Sequence, residues 1–142
     1  MERKGLILNK SYDDFKLGNS IMDYKMRPHQ IDKHDDAPYP WDCYSFTHYG
    51  YEIELWCENN VIKSICCNQS CIYNGHELIG MNYNEFLQII GEAPIAHDVI
   101  YVLVNKERGQ HQHVYDFDNS GLQVWVWRNK IRTVIISHLP ED

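Results

Sequence analysis

The stretch GLQVWVWRNKIRTVII, from Gly121 to Ile136, is close to a second version of GYEIELWCENNVIKSI, from Gly50 to Ile65. Each opens on glycine, alternates apolar with other residues, breaks at a polar triplet (RNK or ENN) and then resumes. Alternation with period two marks a strand with one face on a core, and a short Asn-containing break between two such runs marks a hairpin. Both stretches therefore predict hairpins, with Tyr51, Ile53 and Leu55 facing inward in one and Leu122, Val124 and Val126 in the other.

The likeness extends outward in both directions. CYSFTHYGYEIELW (43–56) lies over VYDFDNSGLQVWVW (114–127), and NVIKSICC (60–67) over NKIRTVII (129–136). Upstream, LGNSIMDY (17–24) answers IGMNYNEF (79–86), and LILN (6–9) answers CIYN (71–74). The blocks keep the same order, which predicts a tandem duplication, 1–67 and 68–142, within a single domain spanning 1–142.

Ser20 and Asn82 suit helix N-caps, with Asp23 and Glu85 three residues on as in a capping box. Tyr83, Phe86, Leu87 and Ile90 then form an apolar stripe, and Gly91 ends that helix ahead of Pro94. Pro28 cuts the first helix to one or two turns. VIYVLVN and QHQHVYDF flank KERG as a further hairpin, and GHELIG opens a short one. RPHQIDKHDDAPYP (27–40) lacks periodicity and is expected to be a long acidic loop. The fold class expected is α+β, a mainly antiparallel sheet of about eight strands with two helices on one face.

Composition limits the functions available. Apolar residues make up 44% of the 142, enough for one buried core. A net charge of −7 argues against nucleic acid, whose phosphates need clustered Lys and Arg, and favours a basic partner. The apolar run in MERKGLILNK is too short for a signal peptide and no segment matches a membrane span, so a cytoplasmic protein without membrane attachment is expected. Five cysteines in a reducing compartment are expected to be free thiols. The spacing in CCNQSC, followed by His76, departs from the paired ligands of zinc sites. Cys66, Cys67, Cys71 and Cys43 lie over Ile135, Ile136, Leu6 and Val114, as small hydrophobes would.

His111 and His113 share a strand face and, with Glu107, can be read as metal ligands or as an acid–base pair. The plainer reading is a polar outer face. No nucleophile elbow, phosphate loop, HExxH or paired-carboxylate motif is present, so neither catalysis nor a cofactor is expected. Asp13, Asp14, Asp32, Asp35 and Asp36 read as solvated loop charges. Glu52 and Glu54 alternate with the inward residues, so they share the opposite sheet face with Trp56. Gln123, Trp125 and Trp127 fall on that face in the other hairpin. The candidate binding residues are therefore Glu52, Glu54, Trp56, Trp125, Trp127, Asp35 and Asp36, unless loops cover the rings.

The phrases LGNSIMDY, IGMNYNEF, YDFDNSGLQVWVW and NKIRTVIISHL resemble repeat blocks of the immunity proteins of contact-dependent growth inhibition and related polymorphic toxin systems. That resemblance implies a protein that binds and neutralises a basic toxin domain, of nuclease type, in the cytoplasm. The helix starts are also similar to tandem repeats of the β-lactamase-inhibitor type, which are exported and disulfide-bonded. Two other readings remain open: a scaffold or small-ligand-binding domain using the aromatic face, and a small enzyme with a metal at His111 and His113.

Overall fold

The computed structural model describes residues 4–24, 26, 29–34, 41–103 and 106–137. Its centre is one antiparallel sheet of eight strands. These are β4 (His29–His34), β5 (Trp41–His48), β6 (Tyr51–Glu58), β7 (Val61–Cys67), β10 (Ala96–Leu103), β11 (Gly109–Phe117), β12 (Leu122–Trp127) and β13 (Lys130–Ser137). They lie in the order β10-β11-β12-β13-β7-β6-β5-β4, so two four-stranded meanders meet at the β13–β7 pair. The short strands β1 (Leu6–Ile7), β2 (Ser11–Tyr12) and β3 (Phe15–Lys16) form a small sheet. A second small sheet holds β8 (Ile72–Tyr73) and β9 (His76–Glu77).

Turn chemistry sets the hairpins. Asn59 and Asn60 have φ of 52° and 65°, and Arg128 and Asn129 repeat those values, as two-residue turns that follow the strand twist require. Trp56↔Ser64 gives way to Cys57↔Ile62, and Trp125↔Thr133 to Val126↔Ile131, so each hairpin carries a bulge at the same place.

Among the described residues, the covering elements pack on one face of the sheet. Ile53, Leu55, Ile62, Ile65, Leu122, Val124, Ile131 and Val134 form a single core with Tyr12, Phe15, Ile21, Leu78 and Phe86 from the covering segments. Those segments grip the hairpin tips through the backbone. Gly18 N–H donates to Ile62 O and Ile21 N–H to Asn60 O; Gly80 N–H donates to Ile131 O and Tyr83 N–H to Asn129 O.

Helix α1 (Tyr83–Ile90) begins at Asn82, whose side chain accepts from the Asn84 N–H at 2.9 Å. It ends at Gly91, left-handed at φ 64°, whose N–H reaches Leu87 O. Tyr83 and Phe86 are buried, as the stripe requires.

The expected α+β fold with two helices and a tandem duplication is overturned. The chain is mostly β, 57% strand, with one α-helix among the described residues. After Ser20 only a four-residue 3-10 turn forms, Ile21–Tyr24. Proline at position 28 removes a donor and disfavours helical φ/ψ at the residue before it, which leaves too little chain for a stable helix. The N-terminal part folds as three short strands where the segment after Cys71 folds as two. Similar phrases thus give unlike elements, and a duplication of 1–67 and 68–142 is not shown.

Other expectations also change. Part of the supposed loop 27–40 is strand β4, paired with β5 from His29↔Phe46 to His34↔Trp41. Tyr51, expected inside, is exposed. Asp13, expected in solvent, is buried; its carboxylate accepts from the Gly5 N–H at 2.6 Å and lies 2.7 Å from His48 Nε2. No helix among the described residues is long and apolar enough to cross a membrane.

Candidate functional site

The face opposite the core carries a continuous row of residues. Strand register places Ser45, Glu54, Cys66, Ile135, Gln123 and Asp116 side by side across β5, β6, β7, β13, β12 and β11. Because β6 and β12 run in opposite directions, Trp56 and Trp125, each two residues beyond its member of the row, lie on opposite sides of it. Trp56 is flanked by Ser64, and Ser64 by Ser137; Trp125 is flanked by Thr133 and Val114. Trp56, Trp125 and Trp127 are half-buried, at positions that alternate with buried Leu55, Val124 and Val126.

Each central indole is held along its own strand. The Trp56 Nε1–H donates to Glu54 Oε2 at 3.3 Å, and the Trp125 Nε1–H to Gln123 Oε1 at 2.9 Å. Gln123 Nε2 in turn donates to Asp116 Oδ1 at 3.0 Å. The Ser64 and Ser137 hydroxyls meet at 2.8 Å between the two halves of the row. Orientation by neighbouring polar groups lowers the entropy that a ring loses when it binds a partner.

On the Trp56 side of the row, away from Trp125, runs a cleft of about 280 Å³ bordered by Trp56, Ser64, Asp116, Gln123, Ile135 and Ser137. Small-ligand sites usually measure about 300–1,000 Å³ and enclose most of the ligand. Open to solvent rather than enclosing, this cleft suits a side chain of a larger partner better than a free molecule. An aromatic face beside carboxylates is the chemistry that holds a guanidinium or ammonium group.

The sequence-predicted residues separate into groups. Glu54, Trp56 and Trp125 belong to one arrangement, and Glu52 follows on the same face, exposed, its N–H donating to Gln69 Oε1 at 2.7 Å. Trp127 lies apart in character. The Arg128 guanidinium stands 4.4 Å and that of Arg132 4.9 Å from its ring, so this corner is cationic. Asp35 and Asp36 lie outside the described residues. Sequence reasoning missed Asp116 and the serine pair. Asp116 alternates with Tyr115 and Phe117 in YDF, and only the strand register shows that it lies beside Gln123 in the row.

The histidines serve a different surface. His97 Nε2 and His113 Nδ1 meet at 2.8 Å, and their rings continue a stack through Tyr115 to Tyr83. His111 packs instead against Tyr101. No group of three or more His, Cys, Asp or Glu among the described residues is placed to hold a metal ion.

All five cysteines are free and buried. Burial first, then the Glu54 charge, pushes the Cys43 thiol up to about 12; burial and then Asp42 does the same for Cys57. Cys66 is raised by burial and Glu54, and Cys67 by its hydrogen bond to Cys71 and then burial. Against an ordinary thiol, the thiolate population of Cys43 and Cys57 at pH 8 falls roughly a thousandfold. Iodoacetamide is therefore expected to label these two only after unfolding. Mass spectrometry showing folded protein alkylated there at the rate of a free thiol would contradict this.

Compared with protein-family models, curated proteins and solved structures, the chain matches none.

Proposed function

We propose that the chain is a toxin-neutralising binding protein of the immunity type, which covers a basic toxin domain with the open face of its sheet in the cytoplasm. One observation carries this reading: the face that no described segment covers presents Trp56 and Trp125, each held by hydrogen bonds, astride a row that includes the carboxylates of Glu54 and Asp116. The net charge of −7 acts at long range, raising the encounter rate with a cationic partner. The rings act at contact, where a desolvated tryptophan is the commonest kind of hot spot and slows dissociation. A lysine or arginine of the toxin enters the cleft against Trp56 and meets Glu54 or Asp116.

The test uses a basic toxin domain as the probe, taken from the neighbouring gene if that gene encodes one, with affinity and association rate measured at low and high salt. Trp125→Ala is expected to weaken binding by roughly 2 kcal/mol, about thirtyfold in Kd, mainly through dissociation. Glu54→Lys is expected to slow association about tenfold at low salt, with the difference shrinking as salt rises. Two folded variants that bind with wild-type affinity would remove this face from the interface. Trp125→Ala that fails to fold would mean that the ring is structural.

A further inference from the structure

The outermost strand at one end of the sheet, β10, is apolar on both faces. Val99 is 46% exposed, Ile100 37%, Tyr101 56% and Leu103 70%. Its eight residues pair with β11 one for one, without a bulge, from Ala96↔Asp116 to Leu103↔Gly109. The strand contains no Pro, Lys, Arg or Glu, and Asp98 is its single carboxylate. Natural sheets protect their edges with charge, proline, bulges or short strands, and β10 has little of this. At the other end of the sheet, β4 reads HQIDKH, with Asp32 and Lys33 inside it.

We propose that β10 pairs antiparallel with β10 of a second copy of this chain, joining two eight-stranded sheets into one about a two-fold axis through Tyr101. Opposite residues of an antiparallel pair point to the same face, so the axis must pass through a residue rather than between two. Centred on Tyr101, Val99 faces Leu103 on one side of the sheet and Ile100 faces Val102 on the other. Every cross-strand pair in this core is apolar. Centred on Ile100, Asp98 would face Val102 and His97 would face Leu103, which buries polar groups against aliphatic ones.

Charge also selects a second copy over the basic partner. The edge offers no carboxylate cluster to attract cations, and the Tyr101 axis keeps the two Asp98 residues about 20 Å apart, beyond the range of strong repulsion at moderate salt. Tyr101 is already positioned by its own chain. Its ring lies beside His111 and fills the space over Gly109, where any Cβ would collide with it.

Sedimentation equilibrium of the full chain at micromolar concentrations tests the pairing. The wild type is expected at twice 16.9 kDa. The dimer should tighten as salt screens the two like-charged bodies, the reverse of the trend expected for the toxin complex. Ile100→Lys and, separately, Val99→Lys should raise the dimer dissociation constant about tenfold or more with unchanged circular dichroism. Hydrogen exchange of the β10 amides in the wild type should slow as protein concentration rises. The proposal is overturned by a wild-type monomer throughout that range, by a dimer that both substitutions leave intact, or by β10 amides that become protected only when a toxin strand is added.

Discussion

Asp13→Ala is expected to cost about 2–4 kcal/mol of stability, because the Gly5 N–H and the His48 ring nitrogen, both largely buried, lose the carboxylate that partners them. The Asp13 and His48 side chains are 8% and 11% exposed and meet at 2.7 Å. The same carboxylate accepts from the Gly5 N–H, so one side chain joins the start of β1 to the end of β5. His48 packs edge-on against Phe15 and Tyr49, which fixes its ring for this contact. The residue also occupies a left-handed backbone position, φ 53°, where Asp is among the few types tolerated. Asp13→Asn, which keeps the shape and an acceptor, should lose less than half as much. Urea midpoints for the two variants measure this, and a loss under about 1 kcal/mol for Asp13→Ala would show that solvent already satisfies His48 and Gly5.

The second large effect is expected at Gly121, with Gly50 as its control. Both have left-handed backbones, at φ 67° and 81°, so either replacement by Ala costs about 1 kcal/mol or more in backbone strain. Gly50 has open space where a Cβ would stand, whereas a Cβ on Gly121 would collide with the Asn9 side-chain oxygen and the Ser137 carbonyl. Neither neighbour can move easily. Asn9 is bound to the turn through Asn119 O at 2.7 Å and Ser120 O at 3.1 Å, and Ser137 N–H donates to Gly121 O at 2.8 Å. Glu92 holds the same turn, accepting from the Asn119 N–H at 3.1 Å and from the Ser120 hydroxyl. Gly121→Ala is therefore expected to be less stable than Gly50→Ala by about 1–3 kcal/mol, the range for overpacking a filled site. Equal melting temperatures for the two variants would refute the collision.

Much of the sheet was legible in the residues. Tyr51 aside, the inward sets Ile53–Leu55 and Leu122–Val124–Val126 are buried, and the ENN and RNK breaks are tight turns. Asn82 and Gly91 cap a real helix. The failures have identifiable causes. Strand β4 lacks alternation because edge residues are not selected for one buried face, and it forms through backbone bonds to β5 that no local pattern encodes. LGNSIMDY resembles IGMNYNEF in its polar and apolar spacing, but a helix also needs uninterrupted length, which Pro28 withholds. Asp13 gave no sign of burial, since its partners, Gly5 and His48, come from other parts of the fold.

By itself the sequence determined strand period, turn positions, one pair of helix caps and the acidic balance. Each of these depends on interactions within a few residues of chain or on a sum over the whole. Only the tertiary structure decided which sheet face the covering segments occupy, and hence that Glu54, Trp56 and Trp125 stay at the open surface. It also brought Asp116 into their row and, among the described residues, left the outer edge of β10 without a strand partner. Those outcomes depend on strand order and register, which are set by long-range pairing and the burial of one shared core, where residues far apart in the chain compete for the same space.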